Sequence, residues 1–91
     1  MYNKDTVSII IPVYNEEIHI EKCLNSIINQ TYDNIIEILV LDGMSTDSTR
    51  DIIGKFENEK IKIIDNPKKI QSAGLNKGIK MAEGDIVVRV D

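Results

Sequence analysis

Polar side chains that could hold a phosphate-bearing ligand follow two apolar runs of this sequence. Residues 14–17 come after the first run, and residues 42–47 come after the second. A third apolar run ends at Asp91, the last residue. In an open α/β sheet, ligands bind outside the carboxyl ends of the strands. If these runs are parallel strands of one sheet, the three places meet at one edge and form a cradle for a nucleoside diphosphate and its metal ion.

Four apolar runs are predicted to be the strands that position these residues. The first run is continuous and rich in β-branched residues, which is typical of a parallel strand covered on both faces, and the second is interpreted as a buried strand. The four runs are Val7–Val13, 36–41, 61–64 and 86–90.

Three helices are predicted between the strands. The first runs from Glu16 onward and has an apolar face of Ile20, Leu24, Ile27 and Ile28. The second, of about three turns, follows the candidate N-cap residues 45–48, and the third spans 72–82. Strands that alternate with helices through short, right-handed crossovers form a parallel sheet. The predicted fold class is therefore α/β, a Rossmann-like parallel sheet with helices on both faces.

Length, charge and cysteine content exclude several classes of protein. A chain of 91 residues builds one small domain, and a net charge of -4 disfavours a nucleic-acid binder, which needs a clustered basic face. Cys23, the single cysteine, lies on the apolar stripe of the first helix and is expected to pack in the core. No segment has the length of a membrane span or the pattern of an export signal.

The sheet predicted here is only half of a usual doubly wound domain. The sequence stops at a strand end with no closing helix. We therefore expect residues 1–91 to be a truncated piece of a larger domain.

Familiar phosphate-binding loops are absent. The sequence has neither a P-loop nor a Gly-x-Gly-x-x-Gly fingerprint after the first strand. Any diphosphate must be held in another way.

Four segments in register resemble the family-two glycosyltransferases of GT-A fold. They are residues 7–16 (VSIIIPVYNE), the loop 42–47 (DGMSTD), residues 73–79 (AGLNKGI) and residues 84–91 (GDIVVRVD). The resemblance covers nearly the whole chain and looks closest to bacterial transferases of exopolysaccharide synthesis.

The resemblance implies a role in nucleotide binding for five residues. Asp42 would accept the N3–H of uracil, Pro12, Tyr14 and Glu16 would wall the nucleotide pocket, and Asn76 matches the third motif. Three of them have a simpler alternative. Asp42 could form an Asx-turn. The family often has a second acid where this sequence has Gly43, and if that acid reads the base, Asp42 would support the site without contacting the nucleotide. Tyr14 could be ordinary packing, and Glu16 could be a charge in the first helical turn.

Asp91 matches the first acid of the family's Asp-x-Asp motif, which holds Mg²⁺ or Mn²⁺ against the diphosphate. One aspartate does not make a metal site. The second acid, the catalytic base and the acceptor-binding half of the family lie outside this sequence.

Several neighbouring residues have structural interpretations. Asp47 is expected to cap the second helix, and Gly78 to allow close packing of the third. Lys68, Lys69 and His19 are interpreted as solvated charges, although the lysines and Gln71 could meet the diphosphate.

The resemblance predicts an inverting transferase that moves a sugar from a nucleoside-diphosphate sugar to a hydroxyl of a saccharide or lipid-linked acceptor. The expected donor is a UDP-sugar. The chain alone is expected to be inactive. The full protein is expected in the cytoplasm or at the cytoplasmic face of a membrane. The alternative is a non-catalytic α/β interaction module that forms homo-oligomers through an exposed sheet edge.

Overall fold

The chain folds into a four-stranded parallel sheet with the strand order β3-β2-β1-β4. The computed structural model describes residues 5–30, 32–67 and 71–90, and for residues 71–75 it describes the backbone alone. The elements are β1 (Val7–Val13), α1 (Ile20–Ile28), β2 (Ile35–Asp42), α2 (Thr49–Gly54), β3 (Ile61–Asp65), α3 (Gln71–Met81) and β4 (Ile86–Arg89). The predicted α/β class and parallel sheet are confirmed.

Helices cover both faces of the central strands. On one face, alternate residues of β1 and β2 form the main core with the apolar stripe of α1 and with Ile53 of α2. On the other face, Ile10 and Leu41 are fully buried and lie against Gly78 of α3. β1 and β2 are therefore buried strands, as their continuous apolar runs predicted.

Gly78 provides the close approach of α3 to the sheet. A Cβ atom at this position would lie 2.9 Å from Leu41 Cδ1 and 3.0 Å from Ile10 Cδ1, which is tighter than ordinary van der Waals contact. The expectation that close packing requires a glycine in this helix is confirmed.

The second helix is shorter than predicted. α2 has six residues, which is less than two turns, so the prediction of about three turns was wrong. Lys55 N–H and Phe56 N–H donate to the carbonyls of Ile52 and Ile53, three residues back, so the helix closes in a tight 3₁₀-type turn. Among the described residues, no helix is both long and apolar enough to cross a membrane.

Two predicted boundaries move in ways that matter for the site. α1 begins at Ile20 rather than near Glu16, because the N–H groups of His19 and Ile20 both donate to the Glu16 carbonyl in a turn before the helix. β2 extends to Asp42, which is therefore the last residue of a strand.

Candidate functional site

A small cavity lies at the carboxyl ends of β1, β2 and β3. Its volume is about 170 Å³. Its lining comes from the ends of all three strands and the loops that follow them: Pro12, Val13, Tyr14, Glu16, Leu41, Gly43 and Asn66. Crevices at this edge of parallel sheets are the usual ligand sites of such folds.

Three of the predicted pocket residues meet at this cavity. Pro12, Tyr14 and Glu16 all line it, and the Tyr14 side chain is 44% exposed. An aromatic ring with an accessible face can stack on a nucleobase or cover a ribose. Their assignment to nucleotide binding stays a prediction, now with a shared location.

Asp42 lies beside the cavity but is not among its described lining residues. It is 0% exposed, and its Oδ2 accepts hydrogen bonds from Ser45 N–H at 3.1 Å and from Arg50 Nη1 at 2.7 Å. Its Oδ1 accepts the Ser45 hydroxyl. The Asx-turn alternative is therefore formed. Oδ1 can accept a second hydrogen bond, but because Asp42 is fully buried a uracil N3–H would reach it only if neighbouring groups moved.

Asn15 joins the loop after β1 to the loop after β2. Its carboxamide Oδ1 accepts the backbone N–H groups of Thr46 at 2.8 Å and Asp47 at 3.3 Å, and its own N–H donates to Ser45 Oγ at 2.9 Å. Its φ of 50° lies in the left-handed region, which asparagine tolerates better than most residues. The two loops are thus held as one unit.

The same interlock caps α2. Asp47 Oδ1 accepts the N–H of Thr49 at 2.9 Å, which confirms its predicted capping role, and Glu17 Oε1 accepts the N–H of Ser48 at 3.2 Å. Ser48 itself makes no side-chain cap bond. Desolvation raises the pKa of Asp47, but hydrogen bonds from Thr49 and from Glu17 N–H outweigh it and lower the pKa.

Arg50 is a site residue that the sequence analysis missed. It lies in the first turn of α2, and its Nη1 is 2.7 Å from Asp42 Oδ2 and 2.9 Å from Asp65 Oδ1. These hydrogen bonds to Asp42 and Asp65 raise the pKa of Arg50. A cation at a helix N-terminus opposes the helix dipole, so its presence there was a signal that acidic partners lie nearby.

Asn66 is the second missed residue. It follows β3 directly and precedes Pro67, and it is buried and lines the cavity. Its N–H donates to the backbone carbonyl of Asp42 at 2.7 Å.

The remaining predicted residues are not brought to the cavity by the described part of the chain. Asn76 is exposed on α3, and its neighbour Lys77 donates from Nζ to the Asp65 carbonyl at 2.7 Å. Asp91, Lys68 and Lys69 lie outside the described residues, as does the side chain of Gln71.

A divalent metal does not yet have a ligand set here. Within the described residues, no group of three His, Cys, Asp or Glu side chains could hold one. The predicted ligand, Asp91, is a single carboxylate outside those residues.

A larger cavity of about 390 Å³ shares Pro12, Val13 and Glu16 with the first one. Cys23 lines it and is half-buried against the core. Burial raises the pKa of the Cys23 thiol, and the negative charge of Glu16 raises it further. This agrees with a packing role for Cys23. His19 is exposed, as predicted.

Comparison with known proteins gives one family. The family model described as Glycosyl transferase family 2 matches residues 8–91. The chain is 46% identical over 87 residues to a Methanococcus voltae protein named dolichyl N-acetyl-alpha-D-glucosaminyl phosphate 3-beta-D-2,3-diacetamido-2,3-dideoxy-beta-D-glucuronosyltransferase, with 90% of this chain and 27% of the relative covered.

Solved structures show the same fold. Residues 1–349 of S. aureus TarS match with a TM-score of 0.84 and 33% identity, over 94% of this chain and 27% of that one. Another structure of that protein is a complex with UDP-GlcNAc. The mannosyltransferase PcManGT from Pyrobaculum calidifontis, in complex with GDP-Man and Mn²⁺, matches with a TM-score of 0.80 and 29% identity, over 93% of this chain and 26% of that one. The chain thus spans about a quarter of the length of these proteins.

Proposed function

Because this chain belongs to glycosyl transferase family 2, we propose that it is the donor-nucleotide portion of an enzyme that transfers a sugar from a nucleoside-diphosphate sugar to a hydroxyl acceptor with inversion. In the whole protein, an acid residue would deprotonate the acceptor for in-line attack at the anomeric carbon. With about a quarter of its relatives' length, the chain alone would bind the nucleotide without turnover.

The observation that carries this proposal is the cavity lined by the three strand ends. Its 170 Å³ is smaller than the roughly 300–1,000 Å³ typical of pockets for whole small-molecule ligands. It suits a nucleobase or ribose rather than a complete sugar nucleotide. Tyr14 offers an exposed aromatic ring, and buried Asn66 lines the same cavity.

We further propose that the nucleotide is UDP. The UDP-GlcNAc complex of S. aureus TarS supports this choice, whereas the GDP-Man complex of PcManGT makes GDP the competitor to test. A requirement for Mg²⁺ or Mn²⁺ is proposed with it, supported by the Mn²⁺ in the PcManGT structure.

Substitution of Tyr14 tests the cavity directly. We expect UDP to bind the wild-type chain weakly, with a Kd on the order of 1 mM in the presence of Mg²⁺. Loss of a stacking aromatic costs about 1–3 kcal/mol per base, so Tyr14→Ala should raise the Kd about tenfold. Tyr14→Phe, which keeps the ring, should stay near wild type. Shifts of backbone amide NMR signals during UDP titration measure both.

Tyr32 is the matched control. It is 46% exposed, close to the value for Tyr14, but lies away from the cavity. Tyr32→Ala should leave the Kd unchanged. Equal affinity for UDP in the Tyr14→Ala and Tyr32→Ala variants would overturn the assignment of this cavity. Preference for GDP over UDP would overturn the choice of base, and full binding in EDTA would overturn the metal requirement.

The acceptor and location of the whole protein are also proposals. The name of the Methanococcus voltae relative, which refers to a dolichyl-linked sugar phosphate, supports a saccharide or lipid-linked acceptor. We propose a role in polysaccharide or glycoconjugate synthesis, in the cytoplasm or at the cytoplasmic face of a membrane.

A second function, self-association, is favoured by β4. All four of its residues are exposed, and it forms an edge of the sheet. Together with β1 and α1 it borders a mainly apolar groove of about 340 Å³. Its described lining is Val7, Ile9, Ile27, Gln30, Tyr32, Ile35, Ile86, Val88 and Val90. Exposed strand edges beside apolar surface associate readily.

The association is tested by sedimentation at increasing protein concentration. We expect the wild-type chain to form homo-oligomers and Val88→Glu to sediment as a monomer, because the new charge would be buried in the interface. Ile18→Glu is the matched control, since Ile18 is exposed but lies outside the groove. A wild-type monomer at all concentrations would contradict the prediction.

A further inference from the structure

Arg50 connects the last residues of two neighbouring strands. Asp42 ends β2, Asp65 ends β3, and the two are partners in the parallel register. Arg50 Nη1 contacts a carboxylate oxygen of each, at 2.7 and 2.9 Å. Like charges on adjacent strands repel, so the guanidinium allows both acids to lie at the same edge.

The residue that follows each of these acids is a wall of the candidate cavity. Gly43 follows Asp42, and its N–H donates to the Val13 carbonyl at 2.9 Å. Asn66 follows Asp65, and its N–H donates to the Asp42 carbonyl at 2.7 Å. The separation of these two walls therefore depends on how the acids are held.

We propose that Arg50 is a positioning residue for the donor nucleotide, which fixes the width of the cavity by bridging Asp42 and Asp65. It acts through Gly43 and Asn66 and need not touch the ligand. This inference rests on the proposed function, because it assumes that the cavity holds the nucleotide.

The geometry explains why arginine is needed. The planar guanidinium holds its two carboxylate contacts in fixed directions, whereas a lysine ammonium is a point charge on a flexible stem. Arg50→Lys should therefore keep the positive charge but maintain the width of the cavity only in part.

A matched control lies at the other end of the same strand pair. Lys62 of β3 has its Nζ 3.6 Å from Oε1 of Glu37, an almost fully buried acid of β2. Lys62→Met thus removes a contact between a cation and a buried acid without touching the cavity. If Arg50 contributed to stability alone, Arg50→Met and Lys62→Met should have the same effect on the Kd for UDP.

The test compares Arg50→Met, Arg50→Lys and Lys62→Met in the wild-type background by two measurements. The first is the Kd for UDP by NMR titration, and the second is the hydrogen-exchange rate of the Asn66 backbone N–H. We expect Arg50→Met to raise the Kd roughly tenfold, as loss of a supporting contact does at metal sites. It should also speed Asn66 exchange by about tenfold or more, because local opening of this strand end becomes easier.

Arg50→Lys should fall between wild type and Arg50→Met, and Lys62→Met should match wild type in both measurements. If Arg50→Met does not fold, Asp65→Ala replaces it, since that change removes one arm of the bridge from an exposed side chain. A Kd unchanged by these variants, or a Kd raised equally by Lys62→Met, would overturn the proposal.

Failure of the proposed function looks different. If the wild-type chain binds no nucleotide, the proposed function is overturned. Hydrogen exchange of the Asn66 backbone amide would then test by itself whether Arg50 bridges the two strand ends. Faster exchange in Arg50→Met but not in Lys62→Met supports the bridge, and unchanged exchange overturns it.

Discussion

Replacement of Gly84 by alanine should lower the free energy of unfolding by about 3 kcal/mol, near the upper end of the cost of overpacking. A Cβ atom at this position would lie 2.7 Å from both the backbone N and the Oγ of Ser8, and 2.9 Å from the carbonyl carbon of Val7. These are mostly backbone atoms of the buried strand β1, which cannot move aside as the end of a flexible side chain can. The displacement would also break the hydrogen bond from Gly84 N–H to Ser8 Oγ, which is 2.9 Å long. Urea unfolding followed by circular dichroism measures the effect.

Gly54 is the matched control for Gly84. No atom lies within 4 Å of a Cβ placed there, and Gly54 is the last residue of α2. Gly54→Ala should therefore be neutral or stabilise the chain by up to about 1 kcal/mol, since alanine is the better helix former. A loss of stability in Gly84→Ala no larger than the change in Gly54→Ala would show that the turn before β4 can move away from β1.

The role of Gly84 shows how far local sequence patterns reach. Residues 83–85 were correctly placed between the third helix and the last strand, where a glycine is ordinary turn chemistry. No described glycine has a positive φ, so the left-handed region is not the reason for Gly84. The reason is its approach to β1, which lies 76 residues away in the sequence.

Continuous apolar runs and helical periodicity were sufficient for the fold. The runs of β1 and β2 predicted buried parallel strands, and the spacing of Ile20, Leu24 and Ile27 predicted the buried face of α1. Ile28, predicted on the same face, is 37% exposed, so that part of the prediction was wrong. These signals are local, because the spacing of buried positions repeats within a single strand or helix.

The candidate site was only partly predictable, because its contacts cross between loops about 30 residues apart. The carboxamide of Asn15 holds the loop after β2, and the length of α2 follows from its caps and its 3₁₀-type end rather than from its apolar residues. The motif positions of Pro12, Tyr14 and Glu16 did lead to one cavity. The sequence offered the Asx-turn of Asp42 with Ser45 as an alternative, whereas the contact of Asp42 with Arg50 could be seen only in three dimensions.

The second large effect is expected at Glu37, the charged residue inside β2. Its side chain is 4% exposed, and its Oε2 accepts hydrogen bonds from Ser8 Oγ at 2.6 Å and from Glu83 N–H at 2.7 Å. Ser8 Oγ in turn accepts the N–H of Gly84. One carboxylate thus ties β1 and β2 to the turn before β4.

Glu37→Ala should lower the free energy of unfolding by about 3 kcal/mol, because a buried donor left without an acceptor costs about 1–3 kcal/mol. Two donors, Ser8 Oγ and Glu83 N–H, lose their acceptor. Lys62→Met removes only the outer contact of the same carboxylate, from a side chain that is 56% exposed, and should cost less than about 1 kcal/mol. Urea unfolding at pH 7 compares them, and similar losses in both variants would contradict the role of the inner hydrogen bonds.

Glu37→Gln separates charge from shape. Burial raises the pKa of Glu37, but the hydrogen bonds from Ser8 and Glu83 and the charge of Lys62 outweigh burial and lower it. A carboxyl group with a lowered folded pKa contributes stability above its unfolded pKa of about 4.3, and this contribution is lost as the pH falls through the folded pKa.

The difference in stability between wild type and Glu37→Gln should therefore be largest at neutral pH and shrink below about pH 4.3. Asp47 also has a lowered pKa, but both proteins retain it, so it cancels in the comparison. Urea unfolding from pH 7 to pH 3 gives the two curves. A constant difference across this range would show that glutamine fails through its geometry, and no difference at pH 7 would show that the ionised form of Glu37 does not stabilise the junction of β1, β2 and the turn before β4.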